Sequence, residues 1–344
     1  MFFEHMPRVP ASGLVSLGFL LAACGTTSST PTDAGLDGSH DAGLDGSHDA
    51  GLDAATTSLR ACPGVADCSL LTPVEEGLPA SGAGAAVDQV ALRPSASTRS
   101  QLLVHFNGSG GTPLGAVADP SHNFFTVARD EGLHVLAISY RSGQAIALLC
   151  PPSSATRDAC YEPTRLSVLT GVPQPGAAAA LSDITSDEGA FTRIVAALTT
   201  LASADPDGGW DDFLDPSAPD AESSIRWDKL LVSGHSQGGG HAALLGKLHA
   251  VARVIMLASP CDSVSGAPAS WVTRTAAYQT DASRFFGLGV ASDRLCPTQF
   301  AAWTALGMPA AAGDDTASLC AGVDAHGAPV ACVENESRWR TMLR

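Results

Sequence analysis

Five short apolar runs stand out along the chain, at residues 101–106 (QLLVHF), 134–139 (HVLAIS), 230–232 (LLV), 251–257 (VARVIML) and 284–290 (RFFGLGV). Each is too short for a helix and reads as a buried strand. Between them lie helix-like segments. Residues 121–131 form one. Phe191, Ile194, Val195, Leu198 and Leu201 fall at helical spacing and make an apolar face for core packing. Residues 299–306 form another helix, and 334–343 a closing one with Trp339 and Leu343 inward. From about Cys62 onward this alternation predicts an α/β domain, a central mostly parallel sheet with helices on both faces. Residues 140–185 break the rhythm. They are rich in Pro and Ala, show little periodicity, and leave the C-terminal end of a strand, where α/β folds place ligands. They are expected to form part of a substrate-binding rim, and residues 145–180 to offer a hydrophobic acyl pocket. The acidic stretch 205–220 precedes the strand at 230 and is expected on the face away from the site, as a solvated loop rather than a calcium site.

The first sixty residues follow different rules. Residues 1–23 read as a secretory signal: a short polar start with Arg8, then an apolar run from Ala11 to Ala22. That run is a dozen residues, and a membrane span needs about 20. Leu21-Ala22-Ala23-Cys24 resembles the lipobox of bacterial lipoproteins, which implies a lipid on Cys24 and export to the cell envelope; Gly25 resembles the residue of those sent on to the outer membrane. An eight-residue repeat follows (DAGLDGSH), with one Leu per unit. It cannot bury a core, so residues 24–60 are expected to be a hydrated tether and residues 61–344 the folded domain. The formal net charge is −16, and six of the negatives sit in this tether, at Asp33, Asp37, Asp41, Asp45, Asp49 and Asp53. Nucleic acid is therefore not expected as a partner. Setting Cys24 aside leaves eight cysteines, an even number that in an exported chain suggests disulfides. Nearest-neighbour pairing gives 62–68, 150–160, 261–296 and 320–332. No C-x-x-C occurs, so zinc is not expected, and no metal or cofactor is called for.

The chemistry concentrates at Gly234-His235-Ser236-Gln237-Gly238. This is G-x-S-x-G between a strand and a helix, the setting in which the motif means a nucleophile. An abrupt strand-to-helix turn strains the middle residue, and small neighbours two before and two after let the backbone pass. Ser236 is thereby lifted clear of the sheet. The Gln237 amide, at a helix N-terminus, faces developing negative charge. A nucleophilic serine needs a base and a carboxylate to orient it, and on such elbows the chain order is serine, acid, histidine. Three histidines follow Ser236. His241 and His249 lie on the elbow helix and point into packing, which leaves His326, in a loop before the closing helix. Asp293, at the end of the apolar run 284–290, is the first choice of acid. Asp262 is the runner-up, and Asp281 sits at the wrong end of its strand. The second oxyanion amide is expected from the glycine-rich turn Asn107–Gly111, at Ser109, with Gly110 as the alternate.

Taken together, HFNGSGG (105–111), GHSQGGGHAA (234–243), ASPCD (258–262) and the Asp293…His326 pair resemble the α/β-hydrolase superfamily, in the manner of exported bacterial serine esterases and lipases. The resemblance runs from about Val87 to the C-terminus. It implies an acyl-enzyme mechanism on a small-molecule or lipid-like carboxylic ester, without a cofactor. GHSQG is shared by esterases, lipases, thioesterases and some polyester-degrading enzymes, so it does not set the substrate, and the oxyanion stretch is not the HGGG form of one large lipase class. A catalytically silent surface binding module and an acyltransferase on the same triad are the alternatives.

Overall fold

The computed structural model describes residues 59–344, apart from 73–75, 77–86, 96–97, 118–122, 152, 275–277 and 316. The signal, Cys24 and the repeat lie outside the described residues; of the stretch 24–60 only Leu59 and Arg60 are described, Arg60 in a short strand. Four apolar runs become neighbouring parallel strands: β4 (Leu102–Phe106), β5 (His134–Ile138), β6 (Leu230–His235) and β7 (Arg253–Leu257). The run at 284–290 gives β8 (Phe285–Leu288), and a short β9 (Gly313–Asp314) closes that edge in parallel. On the other side an antiparallel ribbon, β1 (Arg60–Ala61), β2 (Cys68–Leu71) and β3 (Gln89–Leu92), pairs through β3 to β5. The order across the described sheet is β1-β2-β3-β5-β4-β6-β7-β8-β9.

Period-two alternation splits the strand side chains between two cores. Leu102, Val104, Phe106, Leu230 and Val232 join one, whereas Leu103, Val135, Leu231, Ile255 and Leu257 join the other. Because both faces are covered, the parallel strands read as apolar runs rather than as alternation. The first core is capped by α3 (Ala190–Ala204), through Phe191, Ile194, Leu198 and Leu201, and by α4 (Gln237–Leu248). The second lies under α1 (Phe124–Asp130) and α6 (Glu336–Leu343), where Phe124 meets Trp339 edge to face. Trp339 and Leu343 are fully buried, as the closing-helix pattern requires. Helix α1 begins after Asn123, whose carboxamide oxygen accepts from the Phe125 and Thr126 amides, three residues later than the pattern alone predicts. The helix α5 (Gln299–Ala305) ends one residue before its sequence bound.

The excursion after β5 departs from expectation. It contains a 17-residue helix, α2 (Ser154–Thr170), with Pro163 in its interior. A proline there removes an N–H and normally breaks a helix, which is why the sequence reads as irregular. Here the helix is held from outside: the Cys150–Cys160 disulfide ties it to the short helix Ile146–Leu149, Gly171 ends it at φ 70°, and Thr164, Arg165 and Ser167 are buried. The acidic stretch is also more ordered than a solvated loop. Trp210 and Phe213 are buried there and stack edge-on against His134 at the start of β5, the end of the sheet away from the serine turn. Asp205 is engaged by Arg93 and accepts from Trp210 Nε1 at 2.9 Å, so it is not a free cation ligand. The four expected disulfides are all formed. Among the described residues no helix is long and apolar enough to cross a membrane.

Candidate active site

Strands β4 and β6 run in register, Phe106 beside Gly234, so the loop after β4 and the turn after β6 emerge side by side. At that turn Ser236 has φ 55° and ψ −121°. No L-residue adopts this without cost, and such strain marks sites held by their surroundings. The close packing explains the small neighbours. A Cβ on Gly234 would overlap the Gly238 backbone, and one on Gly238 would overlap the Phe106 carbonyl. Gly240, a turn further on, leaves room for the Arg165 guanidinium.

Asp293 and His326 meet beside this turn. His326 Nδ1 donates to Asp293 Oδ2 at 2.7 Å, and the carboxylate side chain is 1% exposed. The Leu295 and Cys296 amides donate to the other oxygen, Oδ1, at 2.8 and 3.3 Å. Burial pushes the Asp293 carboxyl up, but the hydrogen bonds from His326 and the two amides outweigh it and hold it below the usual carboxylate range. The two loops are fastened covalently. Cys296 bonds Cys261, joining the Asp293 loop to the one after β7, and Cys320 bonds Cys332 around the segment that carries His326. Ser236, His326, Ser109 and Gln237 line one cavity of about 750 Å³, at the C-terminal ends of the strands.

The glycine-rich turn after β4 is tied down on both sides. Gly110 donates its amide to Ser142 O at 2.7 Å, so the alternate oxyanion donor is already engaged. Ser109 Oγ donates to Gln237 Oε1 at 2.9 Å, and the Ile146 amide donates to the same oxygen at 2.9 Å. One side chain thus links the turn after β4, the rim after β5 and the elbow. Tyr140 adds a hydrogen bond to Asn107 O.

Asp262, the runner-up acid, has a different partner. Arg165 Nε and Nη2 bind its two oxygens at 2.7 and 2.6 Å, and Trp271 Nε1 donates to it at 2.7 Å. Arg165 Nη1 also donates to the Gln237 carbonyl at 2.9 Å. The pair is buried, Arg165 at 1% and Asp262 at 4% side-chain exposure. Removing one member of such a pair leaves a buried charge uncompensated. Asp262→Ala is expected to cost about 3–5 kcal/mol of stability, measured by urea unfolding. Asp281 caps a single turn by accepting from the Ser283 amide, far from this chemistry in role.

Two residues here were not singled out by sequence. His235 Nε2 donates to the His326 carbonyl at 2.8 Å, and the two rings lie 4.8 Å apart. Burial, with the nearby His326, lowers the His235 pKa to about 4, so it is a neutral donor that holds the His326 loop. Its only sequence signal is its place as the first variable residue of G-x-S-x-G. Arg165 gave none, because its helix was unreadable. His241 is fully buried against Phe106 and Tyr140, and His249 stacks on Trp227, both in packing roles.

A mostly parallel sheet in this strand order, with a strained serine turn between β6 and α4, decides the architecture. It is the α/β-hydrolase fold. No family model matches the chain, and no curated protein matches it. Among solved structures it is similar to an alpha-beta serine hydrolase homologue from Coxiella burnetii (14% identity, 81% of this chain and 98% of that one, TM-score 0.41). It is similar also to EstE1, a thermophilic carboxylesterase cloned from a metagenomic library (14%, 85% and 92%, TM-score 0.38), and to acetyl xylan esterase from Aspergillus awamori (13%, 80% and 99%, TM-score 0.39). At such identities and scores the assignment rests on the strand order and the turn themselves.

Proposed function

We propose that this chain is a serine hydrolase of carboxylic esters. Ser236 Oγ attacks the ester carbonyl while His326 takes its proton. The Ser109 and Gln237 amides stabilise the tetrahedral oxyanion, and Asp293 orients the imidazole and balances its positive charge. Collapse breaks the ester C–O bond. The proton held on His326 goes to the departing alcohol, leaving an acyl-Ser236. Water then attacks the acyl group with His326 as base, and the carboxylic acid leaves. The observation that carries this reading is the 2.7 Å Asp293–His326 bond, in two disulfide-fastened loops, on the cavity that the strained Ser236 turn also lines.

The same proposal places the enzyme at the cell envelope. The lipobox-like Leu21–Cys24 supports a lipid on Cys24, and the repeat supports a tether between lipid and enzyme. The test of the chemistry is labelling of the mature protein with a fluorophosphonate, followed by peptide mapping. Such a probe requires an activated serine and an oxyanion hole but no particular substrate. An adduct on Ser236, lost in Ser236→Ala and strongly reduced in His326→Ala, is expected. Folded protein that takes no label overturns the reading.

A further inference from the structure

Arg165 and Asp262 line the cavity beside Ser236, yet neither belongs to the triad. Burying two charges is expensive, and apolar side chains of the same size often serve stability as well or better. The pair also stands where a cation is unwelcome. The Arg165 guanidinium lies against Gly240 in the first turn of α4, at the positive end of that helix. Stability gives little reason for an arginine here, and its contacts supply another.

Those contacts converge on Gln237, whose amide is assigned to the oxyanion. As the first residue of α4, Gln237 has an N–H with no intrahelical carbonyl to meet. Its two oxygens are pinned. The carbonyl accepts from Arg165 Nη1 at 2.9 Å, and the side-chain Oε1 accepts from Ser109 Oγ and from the Ile146 amide, both at 2.9 Å. Three elements thus grip one residue: α2, the glycine turn after β4 and the rim after β5. Arg165 is itself fixed. Its Nε and Nη2 fork onto the two Asp262 oxygens, and Trp271 Nε1 donates to Oδ2 of the same carboxylate. The Cys150–Cys160 disulfide anchors α2 upstream. A guanidinium is planar, so with two nitrogens on a carboxylate the third is aimed in a set direction.

Resting on the hydrolase reading above, we propose that Arg165 is a positioning residue for the oxyanion hole. Locked on Asp262, it sets the place of Gln237 so that the Gln237 amide meets the oxyanion beside the Ser109 amide. It acts through Gln237, not on the substrate. The oxyanion forms only as the carbonyl is attacked, so the effect falls on kcat rather than on KM.

The experiment uses the mature protein with p-nitrophenyl butyrate, its active sites counted by fluorophosphonate titration to completion. Two variants remove the donor to the Gln237 carbonyl in different ways. Arg165→Met with Asp262→Leu replaces the pair by apolar side chains and leaves no buried charge alone. Arg165→Lys keeps a cation for Asp262 without the fork, and decides alone should the double variant not fold. Each is expected to lower kcat per titrated site about ten- to a hundredfold, with KM changed by less than about threefold. Phenyl trifluoromethyl ketone forms a hemiketal on Ser236 that puts an oxyanion in the hole, and its inhibition is expected to weaken by a similar factor. The pH midpoint of kcat/KM, which reports His326, is expected to stay in place. Folded variants with native kcat per site overturn the proposal, whatever their stability. So does a loss of kcat with undiminished binding of the ketone. A loss that comes with a shifted pH midpoint overturns it too, since the pair would then serve the Asp293 loop through the Cys261–Cys296 disulfide. In each of these cases the hydrolase reading stands. Native protein that takes no label and cleaves no ester overturns that reading, and this proposal with it.

Discussion

Ser236→Ala is expected to reduce kcat on any accepted ester by about four to six orders of magnitude, with residual turnover near that of an oxyanion hole without a nucleophile. The size follows from how the residue is held. Ser236 stands at φ 55° because Gly234 and Gly238 let the backbone of α4 pass against β4 and β6. The strain is supported by the strand registers and by the Ser236 amide, which donates to Leu257 O at 2.9 Å. Alanine meets the same backbone demand, so the fold is expected to survive and thermal unfolding to change little. Loss of activity with an unaltered melting curve therefore reports the hydroxyl and not the turn. The assay is initial-rate hydrolysis of p-nitrophenyl butyrate, with the melt recorded by circular dichroism. A variant that retains more than a tenth of the rate would mean that Ser236 is not the attacking group. Gly238→Val separates the two contributions, since its side chain has no room beside Phe106 and is expected to disturb the turn itself.

Much of the fold was legible because parallel strands buried on both faces leave an unmistakable mark. The runs at 101–106, 134–139 and 251–257 could be read directly, and the short strand 230–232 needed only the turn after it. The edge ribbon β1–β3 was not read, since its strands run only two to four residues. Helix α2 was hidden by Pro163 and by a sparse apolar face; what fixes it is a disulfide and burial of polar side chains, neither visible as periodicity. At the site, Ser236 was readable from local spacing alone. His326 followed by elimination, and the geometry brings it to Asp293. The choice between Asp293 and Asp262 could not be made from chain order, because both follow strands. It depends on Arg165, 97 residues before Asp262 in the chain, reaching across to claim that carboxylate. His235 was invisible for a related reason: its role depends on a carbonyl 91 residues away.

Asp293→Asn is expected to cost about four orders of magnitude in kcat with little change in KM. The argument lies in the two oxygens of the carboxylate. Oδ1 accepts from the Leu295 and Cys296 amides, so in the variant the carboxamide oxygen keeps that place. The carboxamide NH2 then takes the position of Oδ2, facing His326 Nδ1. Two donors cannot share that contact. The imidazole moves its proton to Nε2, the nitrogen that must accept from Ser236, and the base is lost while the loop keeps its shape. Gln299 Nε2, which donates to Oδ2 at 3.4 Å, would also meet the new NH2, and its amide is expected to turn so that Oε1, which has no partner among the described residues, accepts instead. Nitrogen-15 spectra of His326 are expected to show this exchange of tautomers. Stability supplies an independent readout. The folded Asp293 pKa is lowered, so its contribution is fully present above the pKa of an unfolded aspartate and is lost as pH falls through the folded value. The stability gap between the native protein and Asp293→Asn is therefore largest near neutrality and shrinks as pH falls below the range of an unfolded aspartate. Urea unfolding as a function of pH measures it. If Asp293→Asn keeps activity within tenfold of native while Asp262→Asn abolishes it in folded protein, Asp262 is the orienting acid and the assignment fails.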